Sequence, residues 1–387
     1  MGEWKNCTLS SLGTIVGGAT PSTKKPENYE GGEIPWITPK DLSGFSGRYI
    51  SCGERNITEI GLKNCSAQMM PKHSVLFSSR APIGYVAISN CDVCTNQGFK
   101  SIVPNNDTDY LFLYYLLLYK KHEIENLGSG TTFKEVSAST MKGVEVRVPI
   151  DKREQERIAG ILSALDDKIE SNAHINENLQ QQALALFTNY YEQSNTEVCF
   201  TDLIQILGGG TPKTGESTYW NGNIPFFTPK DVGSPYTLAT EKTITEDGLS
   251  HCNSRLYPVN TVFVTARGTV GKVGLAGVPM AMNQSCYALV GKDIHQLLVY
   301  FYTLKAVDRL KHKASGAVFD AIITRDFETE QVFKLSKDDT ITFIKIAEPV
   351  YQSILNNSVE SQRLIALRDS LLPKLMSGEI SVSDISI

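Results

Sequence analysis

Ile34-Pro35-Trp36-Ile37-Thr38-Pro39-Lys40-Asp41 returns as Ile224-Pro225-Phe226-Phe227-Thr228-Pro229-Lys230-Asp231, 190 residues later. Working outward, Gly18-Ala19-Thr20-Pro21 precedes the first copy and Gly210-Thr211-Pro212-Lys213 the second, with Tyr29 and Tyr219 between. Downstream, Ile57-Thr58-Glu59 with Gly61-Leu62 returns as Ile244-Thr245-Glu246 with Gly248-Leu249. Pro71, Arg80, Gly84 and Asn96-Gln97 return as Pro258, Arg267, Gly271 and Asn283-Gln284, all shifted by 187. Ser129-Gly130 with Phe133 returns as Ser315-Gly316 with Phe319. One shared dipeptide carries little weight, but a colinear series with small drifting gaps means duplication. The period is far too long for a solenoid and matches a domain of ordinary size.

Each copy reads as short strands broken by Gly, Pro and Asn turns. These are Ser74–Phe77, Tyr85–Ile88 and Ser101–Val103 in the first, and Thr261–Thr265 and Lys272–Leu275 in the second. Each also carries one helix, Asp109–Lys121 and Ile294–Lys311. The class is α+β.

The pattern changes at Asp151, which with Glu154 resembles a capping box. Ile158, Leu162, Leu165, Ile169, Asn172, Asn176, Leu179, Ala183, Leu186 and Tyr190 then recur at strict 4,3 spacing, a coiled-coil seam. At ~1.5 Å per residue, roughly 40 residues make a rod of about 60 Å. Phe343, Ala347, Val350, Ile354, Asn357, Ser361, Leu364, Arg368 and Leu371 repeat the seam at a shift of 185. Polar residues at a seam cost stability and set register. Antiparallel pairing about a pseudo-two-fold axis would set Asn172 against Ser361 and Asn176 against Asn357; parallel pairing also matches polar with polar. Pro349 predicts a kink or a true helix start, and Pro373 a disturbance of the last turns. The domains are therefore 1–150, 151–193, 194–337 and 338–387.

The net charge of −5 is unevenly spread. Residues 1–150 and 194–337 each carry +1, while 151–193 and 338–387 carry −4 and −3. The large domains would therefore contact an anion only through local basic patches. No apolar run is long enough for a bilayer, Tyr110–Tyr119 being too short, and the start has no signal-peptide plan. A soluble, cytoplasmic protein without a membrane role is expected. Of 8 cysteines only Cys91 and Cys94 form a CxxC pair, which falls on Val278 and Ala281 in the second copy. Reduced, mostly buried thiols are expected and no metal site.

Two related domains held apart by a spacer form a caliper suited to two different half-sites on DNA. The order of domain, long helix, domain, long helix resembles type I restriction-modification specificity subunits over essentially the whole chain. So do 158–169 (Ile-Ala-Gly-Ile-Leu-Ser-Ala-Leu-Asp-Asp-Lys-Ile), 367–380 (Leu-Arg-Asp-Ser-Leu-Leu-Pro-Lys-Leu-Met-Ser-Gly-Glu-Ile), and Gly-Gly-x-Thr-Pro followed by Pro-Trp-Ile-Thr-Pro-Lys-Asp-Leu. The resemblance implies two target recognition domains joined by an antiparallel coiled-coil spacer. It implies a non-catalytic subunit that reads double-stranded DNA and binds two methyltransferase subunits, with restriction subunits joining. The assembly would be an adenine methyltransferase and endonuclease. S-adenosylmethionine, ATP and Mg would sit on those partners, with no cofactor on this chain.

Candidate DNA contacts follow from residue type. Lys40 and Lys230 after Thr-Pro suit phosphate, or else pair with Asp41 and Asp231. Arg80 and Arg267 at strand ends suit phosphate or guanine, or a buried ion pair. Asn96, Gln97, Asn283 and Gln284 suit adenine or backbone, or a buried turn network. Lys24, Lys25 and Lys213 are further basic candidates. Residues common to both copies should position the DNA backbone. Base readers should lie where the copies differ, in Phe45–Arg55 against Gly233–Thr243 or Gly128–Val136 against Ala314–Ile322.

Enzyme motifs fail on inspection. Asn223-Ile224-Pro225-Phe226 mimics an amino-methyltransferase motif with the wrong second residue, and its twin is Glu33-Ile34-Pro35-Trp36. Gly268-Thr269-Val270-Gly271-Lys272-Val273-Gly274 is not GxxxxGK[ST]. An enzyme acting alone on DNA and a protein-binding scaffold are the rival readings.

Overall fold

A computed structural model describes residues 3–80, 82–130, 134–233, 235–313 and 321–384. Phe133, Ser315, Gly316, Phe319 and parts of the 128–136, 233–243 and 314–322 tracts lie outside the described residues. The chain forms two units, Met1–Glu170 with Arg363–Ile387, and Ser171–Gln362.

In the first unit a five-stranded sheet has the order Gly13–Gly17, Lys100–Pro104, Val75–Ser79, Ile83–Ser89, Tyr49–Ile50. Only the last pairing is parallel. A three-stranded sheet runs Asn56–Ile57, Ile34–Ile37, Cys94–Thr95, and Trp4–Thr8 pairs with Glu145–Pro149. The second unit repeats both orders: Ile204–Gly208, Cys286–Gly291, Val262–Thr265, Val273–Ala276, Tyr236–Thr237, then Thr243–Ile244, Trp220–Phe227, Ala281–Met282. Glu197–Cys199 pairs there with Gln331–Phe333. The duplication seen in the sequence is thus a duplication of topology.

Helix Tyr110–Asn126 starts where Asp109 accepts a bond from the Phe112 amide at 2.8 Å. Its first part, Tyr110–Tyr119, is apolar all round because one side packs on the sheet and the other on the spacer helices. Phe112, Leu113, Tyr115 and Leu117 share a core with Val75, Ile102, Ile158, Leu162 and Leu375. Its counterpart, Gln296–Lys313, joins Phe187, Tyr191, Phe343 and Tyr351 in the other unit's core. No helix of the described residues is long and apolar enough to cross a membrane.

The spacer helices are Lys152–Gln193 and Lys337–Ser377, and they pair antiparallel. In the second unit the Asn172 amide donates to Ser361 Oγ at 3.2 Å and to Glu360 at 2.8 Å, and Asn357 donates to Asn176 Oδ1 at 2.9 Å. In the first, Asp166 accepts from Arg368 at 2.7 Å and from the Tyr115 hydroxyl at 2.6 Å.

Three local expectations are corrected. Of the two outcomes expected at Pro349, a helix start is overturned: the second helix begins at Lys337 and runs to Ser377 through both prolines. Both prolines are solvent-exposed, so the carbonyl orphaned one turn earlier meets water. The flanking seam residues Phe343, Ala347, Tyr351 and Ile354 are buried and hold the helix together. The strict seam also drifts: Asp166, Phe187 and Tyr191 are buried where Leu165, Leu186 and Tyr190 are only partly so. A straight helix rotates ~20° per heptad, and the helix ends serve the domain cores as well as each other. Finally, Asp151 caps the Arg153 amide at 3.0 Å, but Glu154 pairs with Arg157 instead of closing a capping box.

The joint between domain and helix differs between units. In the first, buried Arg48 reaches Asp167, Glu170 (3.0 Å) and Ser163 (3.0 Å) on the spacer helix. In the second, Tyr236 and Tyr300 pack on Tyr351 with ring centroids 6.4 and 5.6 Å away. At the 185-residue shift Asp166 corresponds to Tyr351 and Arg368 to Ala183. An ionic pair in one unit is thus a large aromatic and a small residue in the other. Arg368→Ala would leave the buried Asp166 carboxylate with the Tyr115 hydroxyl but no cation, and a loss of about 3 kcal/mol is expected in chemical denaturation. Adding Asp166→Tyr, which transplants the other unit's solution, is expected to restore more than half of it; a double variant no better than Arg368→Ala would refute the equivalence.

Candidate nucleic-acid interface

Each unit carries the same cleft, built from the same parts. In the first, Thr38, Pro39, Lys40, Arg80, Asn96, Gly98, Lys134 and Glu135 line about 540 Å³. In the second, Thr228, Pro229, Lys230, Glu241, Lys242, Arg267, Gly268, Thr269, Asn283 and Ser285 line about 510 Å³. The structure therefore brings together Lys40, Arg80 and Asn96, and separately Lys230, Arg267 and Asn283.

The Thr-Pro-Lys-Asp turn presents the lysine. Asp41 Oδ2 accepts from the Thr38 amide and hydroxyl, both at 2.7 Å, and Oδ1 from the Glu54 amide at 2.7 Å. Asp231 does the same for Thr228 (2.8 and 2.6 Å) and the Glu241 amide (2.8 Å). With the aspartate committed to the turn, the lysine does not pair with its neighbour. Lys40 instead reaches Glu54 at 2.6 Å and Lys230 reaches Glu241 at 3.8 Å. The bond to Glu54 raises the Lys40 pKa.

The arginines differ. Arg80 lies 3.8 Å from Glu135, which also takes Lys100 at 3.4 Å, and the Arg80 side chain is one-third exposed. Arg267 is exposed and has no acidic partner among the described residues. The backbone explains this: Arg80 bridges to Glu135 and Arg267 to Ala321, so alanine replaces the acid in the second copy. Neither arginine forms a fully buried ion pair.

The asparagines serve two ends. Asn96 Oδ1 accepts from the Gly98 amide at 2.8 Å, and Asn283 Oδ1 from the Ser285 amide at 3.0 Å. Both residues line the clefts, and neither amide nitrogen has a hydrogen-bond partner among the described residues. The glutamines stand outside the clefts: Gln97 accepts from Thr20 and Gln284 from Thr211, tying down the Gly-Gly-x-Thr-Pro loop. Lys24, Lys25 and Lys213 are exposed and line neither cleft; Lys213 offers its carbonyl to Trp220 Nε1 at 3.2 Å. Lys134, Lys242, Glu54 and Glu241 fall inside the tracts expected to hold base readers, but sequence reading did not single them out. The two glutamates repeat at a shift of 187, as do Tyr49 and Tyr236, which was a usable signal.

The loop fits because it has no side chain where it touches the Asn-Gln turn. A Cβ on Gly18 would lie 2.1 Å from the Thr95 carbonyl oxygen, and one on Gly209 2.2 Å from that of Asn283. The Gly268–Gly274 tract turns between strands Val262–Thr265 and Val273–Ala276, with no helix following to make a phosphate loop. The cysteines are free thiols, and burial pushes Cys94 and Cys286 up to about 12. Among the described residues no cluster of metal-ligating side chains occurs.

Two copies of a mixed α/β domain, each with a cleft of lysine, arginine and asparagine, define a duplicated recognition protein. The family model described as the type I restriction modification DNA specificity domain matches residues 1–181 and 193–335, and the chain belongs to that family. It is 31% identical to the type I restriction enzyme MjaIX specificity subunit of Methanocaldococcus jannaschii, over 99% of this chain and 95% of that one. Identity to the HindI specificity subunit of Haemophilus influenzae is 21%, over 98% and 100%. The fold matches the crystal structure of the type I restriction-modification S subunit from M. genitalium with a TM-score of 0.62, at 17% identity over 97% and 96%. The chain is thus a DNA-specificity subunit of the type I class.

Gly18→Ala is expected to lower the melting temperature and loosen the amides around Asn96 in hydrogen exchange, since backbone on both sides must shift. Gly17→Ala, whose Cβ meets nothing within 4 Å, should change neither. Equal effects from the two would remove the packing explanation.

Proposed function

We propose that each cleft holds the phosphate backbone of one half-site, so that the two domains read the halves of an asymmetric bipartite DNA target. The observation that carries this is the recurrence of lysine, arginine and asparagine at the same three places in clefts whose surroundings have diverged. Lysine and arginine neutralise phosphate, and an unpaired carboxamide donates to a phosphate oxygen or a base edge. Features common to both copies position the duplex. Base choice belongs to what differs: Glu135 with Lys100 in the first copy, and Ala321 with Tyr287 in their places in the second.

The polar seam contacts of Asn172, Asn176, Asn357 and Ser361 fix the helix register and thereby the spacing of the half-sites. The acidic spacer helices, with Ile175, Leu184, Ile346 and Leu367 exposed, suit docking of two methyltransferase subunits, with restriction subunits joining. This chain does no chemistry in the reading. S-adenosylmethionine, ATP and Mg belong to the partners.

Lys40→Gln and Lys230→Gln are each expected to weaken binding to all duplexes alike, reducing the salt slope by about one. Arg267→Gln should weaken it about tenfold or more. Mapping methylated bases with a chain whose residues 1–150 are exchanged for another family member's should change one half of the motif only. DNA binding that ignores salt and all three substitutions would favour a protein scaffold instead.

A further inference from the structure

We propose that Glu54 and Glu241 are specificity-determining residues that occupy the cleft lysines in the absence of DNA and so suppress binding to non-target duplexes. This deepens the reading of the clefts as backbone sites and rests on it.

The device is duplicated in every part. Glu54 and Glu241 occupy equivalent positions, 187 residues apart. Each has its backbone amide pinned by the turn aspartate, Asp41 at 2.7 Å or Asp231 at 2.8 Å. Each sends its carboxylate to the cleft lysine, at 2.6 and 3.8 Å. Within the tracts around them, 45–55 and 233–243, the same shift also matches Tyr49 with Tyr236, in the equivalent edge strands, and Arg55 with Lys242, while the other positions differ. The tyrosines are accounted for by their strands; retention of an exposed carboxylate with one pinning bond is not accounted for by folding. Both glutamates are largely exposed, with side-chain exposures of 65% and 61%, and support no core.

The physical effect follows from competition. A carboxylate and a phosphate oxygen are alternative partners for the same ammonium, so a lysine already paired must exchange one anion for the other. Exposed ion pairs are weak, so the exchange is easy when base contacts contribute and unrewarded when they do not. The competition acts on every sequence, and it matters most where the phosphate term is nearly all there is, on non-target DNA.

The test uses the full-length chain and a pool of random-sequence duplexes, with binding followed by fluorescence anisotropy across a salt series. Glu54→Gln/Glu241→Gln is expected to bind the pool about fivefold or more tightly, with a steeper salt slope. The control Glu59→Gln/Glu246→Gln removes two charges at another equivalent pair, exposed and away from the clefts. It should stay within about twofold of the parent. In Lys40→Gln/Lys230→Gln background the cleft substitutions should give no gain. An unchanged affinity for the cleft variant, or an equal gain in the control, overturns the proposal. If instead the lysine substitutions alone leave DNA binding untouched, the backbone-site reading itself fails. Thermal melting of each variant confirms that the comparison is between folded proteins.

Discussion

The register between the two spacer helices is the constraint on which the other features depend. Asn176 accepts from Asn357 and donates to the Ile354 carbonyl (3.3 Å) and Ser358 Oγ (3.2 Å), all inside a buried seam. Sliding one helix by a turn would strand these groups, and a buried polar group without a partner costs roughly 1–3 kcal/mol. Asn172 Oδ1 is already without one, so the seam has little polar slack. Antiparallel pairing at this register is what sets Arg368 beside Asp166 in one unit and puts Ala183 into the same core as Tyr351 in the other. The two solutions are chemically exclusive. An aromatic against Ala183 leaves no acid for an arginine, and Asp166 beside an alanine would lose its cation. The helices are therefore similar in pattern but not interchangeable.

A second constraint acts within each domain. The shared motifs are mainly construction, not contact. Gly18 and Gly209 let a loop lie on the Asn-Gln turn, the glutamines accept from Thr20 and Thr211, and the aspartates fold the Thr-Pro-Lys-Asp turn. His73 and Asn260, equivalent positions with φ of 71° and 69°, close the same hairpin approach by different side chains, one stacking on Tyr110 and the other accepting from Tyr236. Of the other repeated residues, Lys40, Arg80 and Asn96 line one cleft and Lys230, Arg267 and Asn283 the other.

This division explains what could be read from the sequence. Duplication, strand positions, both domain helices and the polar steps of the seam were legible because they are periodic or repeated. Local pairing was less so. The choice of Glu54 over Asp41 as partner for Lys40 depends on a turn that consumes the nearer carboxylate. The burial of Asp166 in place of Leu165 depends on helix rotation and on Tyr115 lying close by, neither of which a heptad count contains. Pro349 misled for a related reason. The rule about proline concerns a lost backbone bond, which ~3 kcal/mol describes in isolation; an exposed position leaves the orphaned carbonyl hydrated while the opposite face packs, and the helix continues.

Near-neutral domains that are proposed to read DNA need an account of their charge. In the first cleft Lys40 and Arg80 are each answered by a carboxylate, and in the second Lys230 is, Arg267 having no acidic partner among the described residues. Neutrality here arises from paired charges held at a surface, not from an absence of basic groups. A surface of free lysines would hold any duplex through counterion release, and target choice would then have to overcome that background at every competing site. If the clefts hold DNA as proposed, pairing would lower that background while leaving each cation available to an anion placed correctly by other contacts.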